Sequence, residues 1–169
     1  MSLISLLTQT PAWVFALLVI LTVLGLQALK DRLLPLWRVL TVPVVFIGWG
    51  LTALLLQPVV SWALAADWVA TAALGTTIGF ITTPNNQFQV VSPGTIAVKG
   101  SALPLTRNLV IFIAKYALTA TMLVQPVLRG TLTPWDIAVS GLAAGYFIGT
   151  LVQLMRAYRK PSADAVVRA

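Results

Sequence analysis

Lys115 stands inside an apolar run, about 105–128, that otherwise offers little for chemistry. If that run is a membrane helix, the lysine lies about 14 Å from its inner end, near the bilayer midplane, where an ammonium costs about 2.5 to 3.5 kcal/mol on insertion scales. Asn108 and Thr119 fall on the same side of the helix, a polar stripe that should face protein or a wet cavity. In another apolar run, Asp67 and Thr71 share a face with Gly75 and Gly79. Three readings of the lysine stand. It forms an ion pair with Asp67 by extending its stem outward, it snorkels to the interface, or it binds an anion or gates a path. A buried ion pair of this kind is weak evidence for stability, although it can fix one packing register.

Elsewhere the residue types remove chemistry. The 169 residues include no His, Cys or Glu, and the carboxylates are Asp31, Asp67, Asp136, Asp164 and the chain terminus. Without thiolates and imidazoles the usual haem and zinc ligands and the usual general base are missing. No catalytic, cofactor-binding or metal-ligating residue is therefore assigned. An intramembrane enzyme would have only Asp67, Lys115, Tyr116 and hydroxyls to draw on, and no hydroxyl has an obvious paired base. The net charge of +7 could suggest nucleic acid, but the cations sit just outside apolar blocks and form no stripe with interleaved aromatics. The expected partner is a lipid bilayer and not a nucleic acid.

The elements that must position these residues follow from hydropathy. At 59% hydrophobic and 9% charged, the chain has too little polar surface to coat a globule. Its apolar residues form five blocks, about 11–29, 36–56, 62–81, 105–128 and 134–155, each near the roughly 20 residues needed to cross a hydrocarbon core. The spacing predicts an all-α membrane protein, a five-transmembrane-helix bundle in a single domain, followed by a basic cytoplasmic tail over 156–169. Thr10 reads as a cap with Pro11 at the first helical position. Thr133, Pro134, Trp135 and Asp136 open the fifth helix in a similar way, with Asp136 near the positive end of its dipole. Pro43 should kink the second helix, and Gln57-Pro58 and Gln125-Pro126 end the second and fourth.

Basic residues set the orientation. Lys30, Arg32, Arg38, Lys99, Arg107, Arg156, Arg159, Lys160 and Arg168 fall on one side, and Arg129 alone on the other. Because Lys and Arg are retained in the cytoplasm, this predicts an N-out, C-in topology. Trp13, Trp62 and Trp135 at outer helix ends, with Trp37 and Tyr158 at inner ones, fit interfacial aromatic belts. Nothing basic precedes the first block, so it reads as a retained helix and not as a cleaved signal peptide.

Glycines at four-residue spacing, Gly75 and Gly79 in the third block and Gly141, Gly145 and Gly149 in the fifth, should let helix backbones approach closely. They serve either packing of helices three and five within the chain or homodimerisation through the fifth. Leu34-Pro35-Leu36 recurs as Leu103-Pro104-Leu105, and Gln57-Pro58-Val59 as Gln125-Pro126-Val127. Helices two and three then read as a parallel copy of helices four and five, unless the likeness is a coincidence of helix-end signals. The position matching Lys115 in the first copy is Phe46 or Ile47, so such a fold would not require a cation there.

The longest connection, between the third and fourth blocks, carries Gln87 to Val91, then Ser92-Pro93-Gly94, then Thr95 to Lys99, the pattern of a short β-hairpin. A lone hairpin is marginal in water, so it should lie against the helix ends. It is either an ordered connector or a lid or partner-docking element.

Thr10-Pro11-Ala12-Trp13, then Val98-Lys99-Gly100-Ser101 with Pro104, then Ile111-Phe112-Ile113-Ala114-Lys115-Tyr116, together resemble an uncharacterised family of small multi-pass bacterial inner-membrane proteins, a domain of unknown function. The resemblance implies a bacterial cytoplasmic membrane and transfers no activity. The residues favour a non-catalytic membrane component without a cofactor, an oligomeric scaffold or a partner of another membrane complex. The alternative is a small carrier or channel for a neutral or anionic solute that uses Lys115.

Overall fold

The computed structural model describes residues 10–57 and 61–159. The second half of the Gln57-Pro58-Val59 motif, Asp164, and the tail cations Lys160 and Arg168 lie outside the described residues. The elements are helix α1 (Ala12–Gln27), strand β1 (Arg32–Pro35), helices α2 (Leu36–Leu55) and α3 (Trp62–Thr82), strands β2 (Phe88–Ser92) and β3 (Thr95–Val98), and helix α4 (Leu103–Val124). A 3-10 turn (Pro126–Leu128) and helix α5 (Arg129–Arg159) complete the order.

Among the described residues five α-helices form, in agreement with the five apolar blocks. Among the described residues four apolar stretches are long enough to cross a membrane, in α2, α3, α4 and the 3-10 turn with α5. α1 has 16 residues and is shorter than the roughly 20 a hydrocarbon core asks for, so a fifth span is not carried by its length.

Two helix starts differ from expectation for the same reason. α5 opens five residues before Pro134, and Thr133 donates from Oγ1 to Arg129 O at 2.7 Å, bonding back inside the helix and not capping it. Asp136 is consequently in the third turn, beyond the reach of the dipole's first turn. At α1, Pro11 occupies the cap position without a side-chain bond, and Thr10 Oγ1 meets Tyr116 Oη at 2.7 Å instead. Ser61 does cap: its side chain accepts from Leu64 N at 3.2 Å. α2 continues as one helix through Pro43.

The chain divides into two compact units. One holds 10–30 and 100–133; the other holds 31–57, 61–99 and 134–159. The repeat read from the sequence does not follow this division, because α4 groups with α1 while α2, α3 and most of α5 group together. Its matching motifs also differ in structure. Pro35 closes a strand and caps α2, whereas Pro104 lies within the first turn of α4.

In the first unit α1 and α4 meet at Gly25, where a β-carbon would come 2.8 Å from Leu105 Cα. The turn into α4 is pinned by Ser101 N donating to Ala28 O at 2.8 Å.

In the second unit the expected hairpin is present, but it belongs to a three-stranded antiparallel sheet ordered β1-β3-β2. Leu33 pairs with Ala97, which pairs with Gln89; Leu34 pairs with Ile96, which pairs with Val90. Gly94 has φ +83, as the position after Pro in a type II turn demands. Leu36 N donates to Gly94 O at 2.8 Å, which ties the turn to the start of α2. Beneath the sheet Phe88, Ile96 and Leu154 are buried with Val39, Leu40 and Leu151 packed around them. The added strand and this apolar floor supply what a lone hairpin lacks.

Hydroxyls inside the helices bond to their own backbones. Thr41, Thr71, Thr76, Thr82 and Thr121 each donate to the carbonyl four residues earlier, at 2.7 or 2.8 Å.

Candidate functional site

Within the second unit the glycines of α3 and α5 face each other. A β-carbon on Gly75 would overlap the carbonyl of Leu142, on Gly79 that of Tyr146, on Gly145 that of Ala72, and on Gly149 that of Thr76. At Gly141 it would come 2.6 Å from Trp68 O, with the Thr71 hydroxyl closer still. Backbone thus lies against backbone along the seam, and dispersion and close approach replace the hydrophobic push that lipid cannot supply. α3 of the same chain covers Gly141, Gly145 and Gly149, the intrachain packing of the two alternatives.

Aromatic and polar groups brace the seam. Phe46 of α2 stacks on Phe147 with centroids 4.6 Å apart. Tyr146 Oη lies 3.1 Å from Thr82 Oγ1, and Gln153 Nε2 donates to Phe80 O at 2.9 Å. The Arg156 guanidinium lies 4.4 Å from the Phe80 ring centroid. Phe46 and Arg156 were named in the sequence only for the repeat and the orientation; Tyr146 and Gln153, polar residues one and four positions from glycines of the stripe, were the available signal for these contacts.

Thr71 and Asp67 do sit beside the seam. Asp67 Oδ2 is buried and has no hydrogen-bond partner among the described residues. Leaving such an oxygen unsatisfied costs about 1 to 3 kcal/mol, or more for a charged group.

Lys115, Asn108 and Thr119 belong to α4 in the first unit. Their shared helical side does not give them one environment. Asn108 is buried and its Oδ1 accepts from Arg107 Nε and Nη2 at 3.2 and 3.1 Å, Lys115 is half-buried, and Thr119 is exposed. Asp67 and Thr71 belong to one unit, and Asn108, Lys115 and Thr119 to the other.

A second polar feature was not foreseen. At the end of the sheet away from the Pro93-Gly94 turn, Asp31, Arg32, Leu33, Asn86, Gln89, Ala97, Val98 and Lys99 line a cleft of about 410 Å³. Leu33, Ala97 and Gln89 form one row across the three strands. Lys99 is held by its own backbone, its N–H donating to Gln87 O at 3.0 Å and its carbonyl accepting from Gln87 Nε2 at 2.6 Å. Arg32 Nε is buried without a hydrogen-bond partner among the described residues. Burial, and after it the charge of Arg38, push the Arg32 guanidinium below its ordinary pKa. β1 escaped the sequence reading because its four residues sit in a basic connector; the extended conformation that Pro35 imposes on Leu34 was the one clue.

Among the described residues no three carboxylates gather as a metal site would require. No curated protein and no solved structure matches the chain. The model of the family of unknown function DUF6622 matches residues 1–165, nearly the whole length. With that coverage, and with apolar helices suited to a membrane protein, the chain belongs to this family of unknown function.

Proposed function

We propose that the chain is a non-catalytic, multi-pass protein of the bacterial cytoplasmic membrane, N-terminus outside and C-terminus inside, that acts as an oligomeric scaffold or as a partner of another membrane complex. The observation that carries this reading is the glycine seam of α3 and α5. Backbones meeting at five successive glycine positions leave no room for a solute between these two helices, and bistable opening would have to break the whole seam. The outer faces of α2 and α3 present Val44, Val45, Val69, Leu74 and Ile81 as exposed apolar surface, suited to lipid or to a second membrane protein. The excess of cations on one set of helix ends supports the orientation.

Purification of the full chain from native membranes in mild detergent tests this. One stoichiometric membrane partner, or a defined homo-oligomer through a face other than the glycine stripe, is the expected result. A second reading, a small carrier for a neutral or anionic solute, draws on Lys115, a half-buried cation in an apolar helix outside the seam. Solute flux in proteoliposomes that Lys115→Leu abolishes, with folding intact, would replace the scaffold reading.

A further inference from the structure

We propose that the cleft at the open end of the β1-β3-β2 sheet binds a phosphoryl anion through Arg32 and Lys99. Both residues line it, with the side-chain amides of Asn86 and Gln89 as further donors. The cations reach the cleft from different strands: Arg32 opens β1, and Lys99 follows the last residue of β3, its backbone fixed by two bonds to Gln87. The two bonds hold the Lys99 backbone at the end of the sheet, while its side chain is exposed.

Charge and donor geometry define the ligand class. The lining holds two cations, one carboxylate in Asp31, and an apolar part formed by Leu33, Ala97 and Val98. A planar guanidinium fork, a point-charge ammonium and two amides together suit an anion with several acceptor oxygens in three dimensions, which is a phosphoryl group. The volume of about 410 Å³ falls in the range of small-ligand sites and admits a phosphate with a small substituent. The source is either an anionic lipid headgroup or a free phosphate compound, and the chemistry they share is what the cleft recognises. The assignment holds whether the chain is a scaffold or a carrier.

The test uses the full chain in detergent micelles. Native mass spectrometry with phosphatidylglycerol against phosphatidylcholine reads the lipid arm, and equilibrium dialysis against labelled inorganic phosphate reads the free arm. Binding in at least one arm is expected, weakened about tenfold or more in Arg32→Gln and in Lys99→Gln, since each removes a charge-assisted hydrogen bond. Arg129→Gln, an exposed cation in the other unit, should bind as the unaltered chain does. Preference for phosphatidylglycerol identifies a headgroup, and phosphate binding without lipid preference identifies a free compound. Lys99 is exposed, so Lys99→Gln decides the matter even if Arg32→Gln fails to fold. No selective binding in either arm, or binding undiminished in Lys99→Gln, overturns the proposal.

Discussion

The indole of Trp68 in α3 donates from Nε1 to the carbonyl oxygen of Gly50 in α2 across 3.0 Å. Gly50 also brings α2 close to α5, where a β-carbon would stand 2.8 Å from the Ala144 methyl group. One glycine thus serves both a backbone approach and an interhelical hydrogen bond.

Trp68→Phe keeps most of the apolar surface and deletes that donor. Interhelical bonds in membrane proteins are worth about 0.6 kcal/mol on average, so thermal unfolding in detergent should show a loss of about 0.5 to 1.5 kcal/mol. A loss near zero would mean the carbonyl is satisfied equally well within α2.

Gly145→Ala places a methyl against the carbonyl of Ala72. Overpacking of this kind costs about 1 to 3 kcal/mol. Gly48→Ala, where nothing lies within 4 Å of the added carbon, should be neutral or mildly stabilising. Equal unfolding midpoints for the two variants would contradict the seam.

Asp67→Asn removes a carboxylate whose Oδ2 is buried without a donor among the described residues. Stability should rise, by about 1 to 3 kcal/mol, as measured by the detergent unfolding midpoint. A fall instead would show that the carboxylate is held by a cation in the folded chain.

Gly94→Ala forces a side chain into positive φ at the Pro93-Gly94 turn. The expected cost is about 1 kcal/mol, concentrated in the sheet, so hydrogen exchange should accelerate at Ile96 and Val90 while the helices keep their protection.

Helices were legible because a bilayer-length apolar run is a strong signal, and the seam because its glycines recur on one helical face. Helix ends were less legible: Thr133-Pro134 has the form of a cap, yet the backbone continues past it, and only the bond from Thr133 back to Arg129 reveals this. The third strand was invisible since Arg32–Pro35 shows no alternation long enough to register, and its pairing with Thr95–Val98 is a contact between segments distant in sequence. Lys115 and Asp67 stood out by charge, but charge alone does not say which unit a helix joins. The cleft was hidden for the opposite reason: Arg32 and Lys99 are unremarkable loop cations until the sheet register places them at one end.

The self-bonded threonines change how this surface looks to its solvent. With Oγ1 turned onto the preceding turn, Thr41, Thr77 and Thr121 spend their one hydroxyl proton on the carbonyl four residues back. What such a residue offers outward is nearly a valine. Hydropathy scales score each as polar, so α2, α3 and α4 are greasier toward acyl chains than their letters imply, and replacing these threonines by valine would alter membrane insertion little.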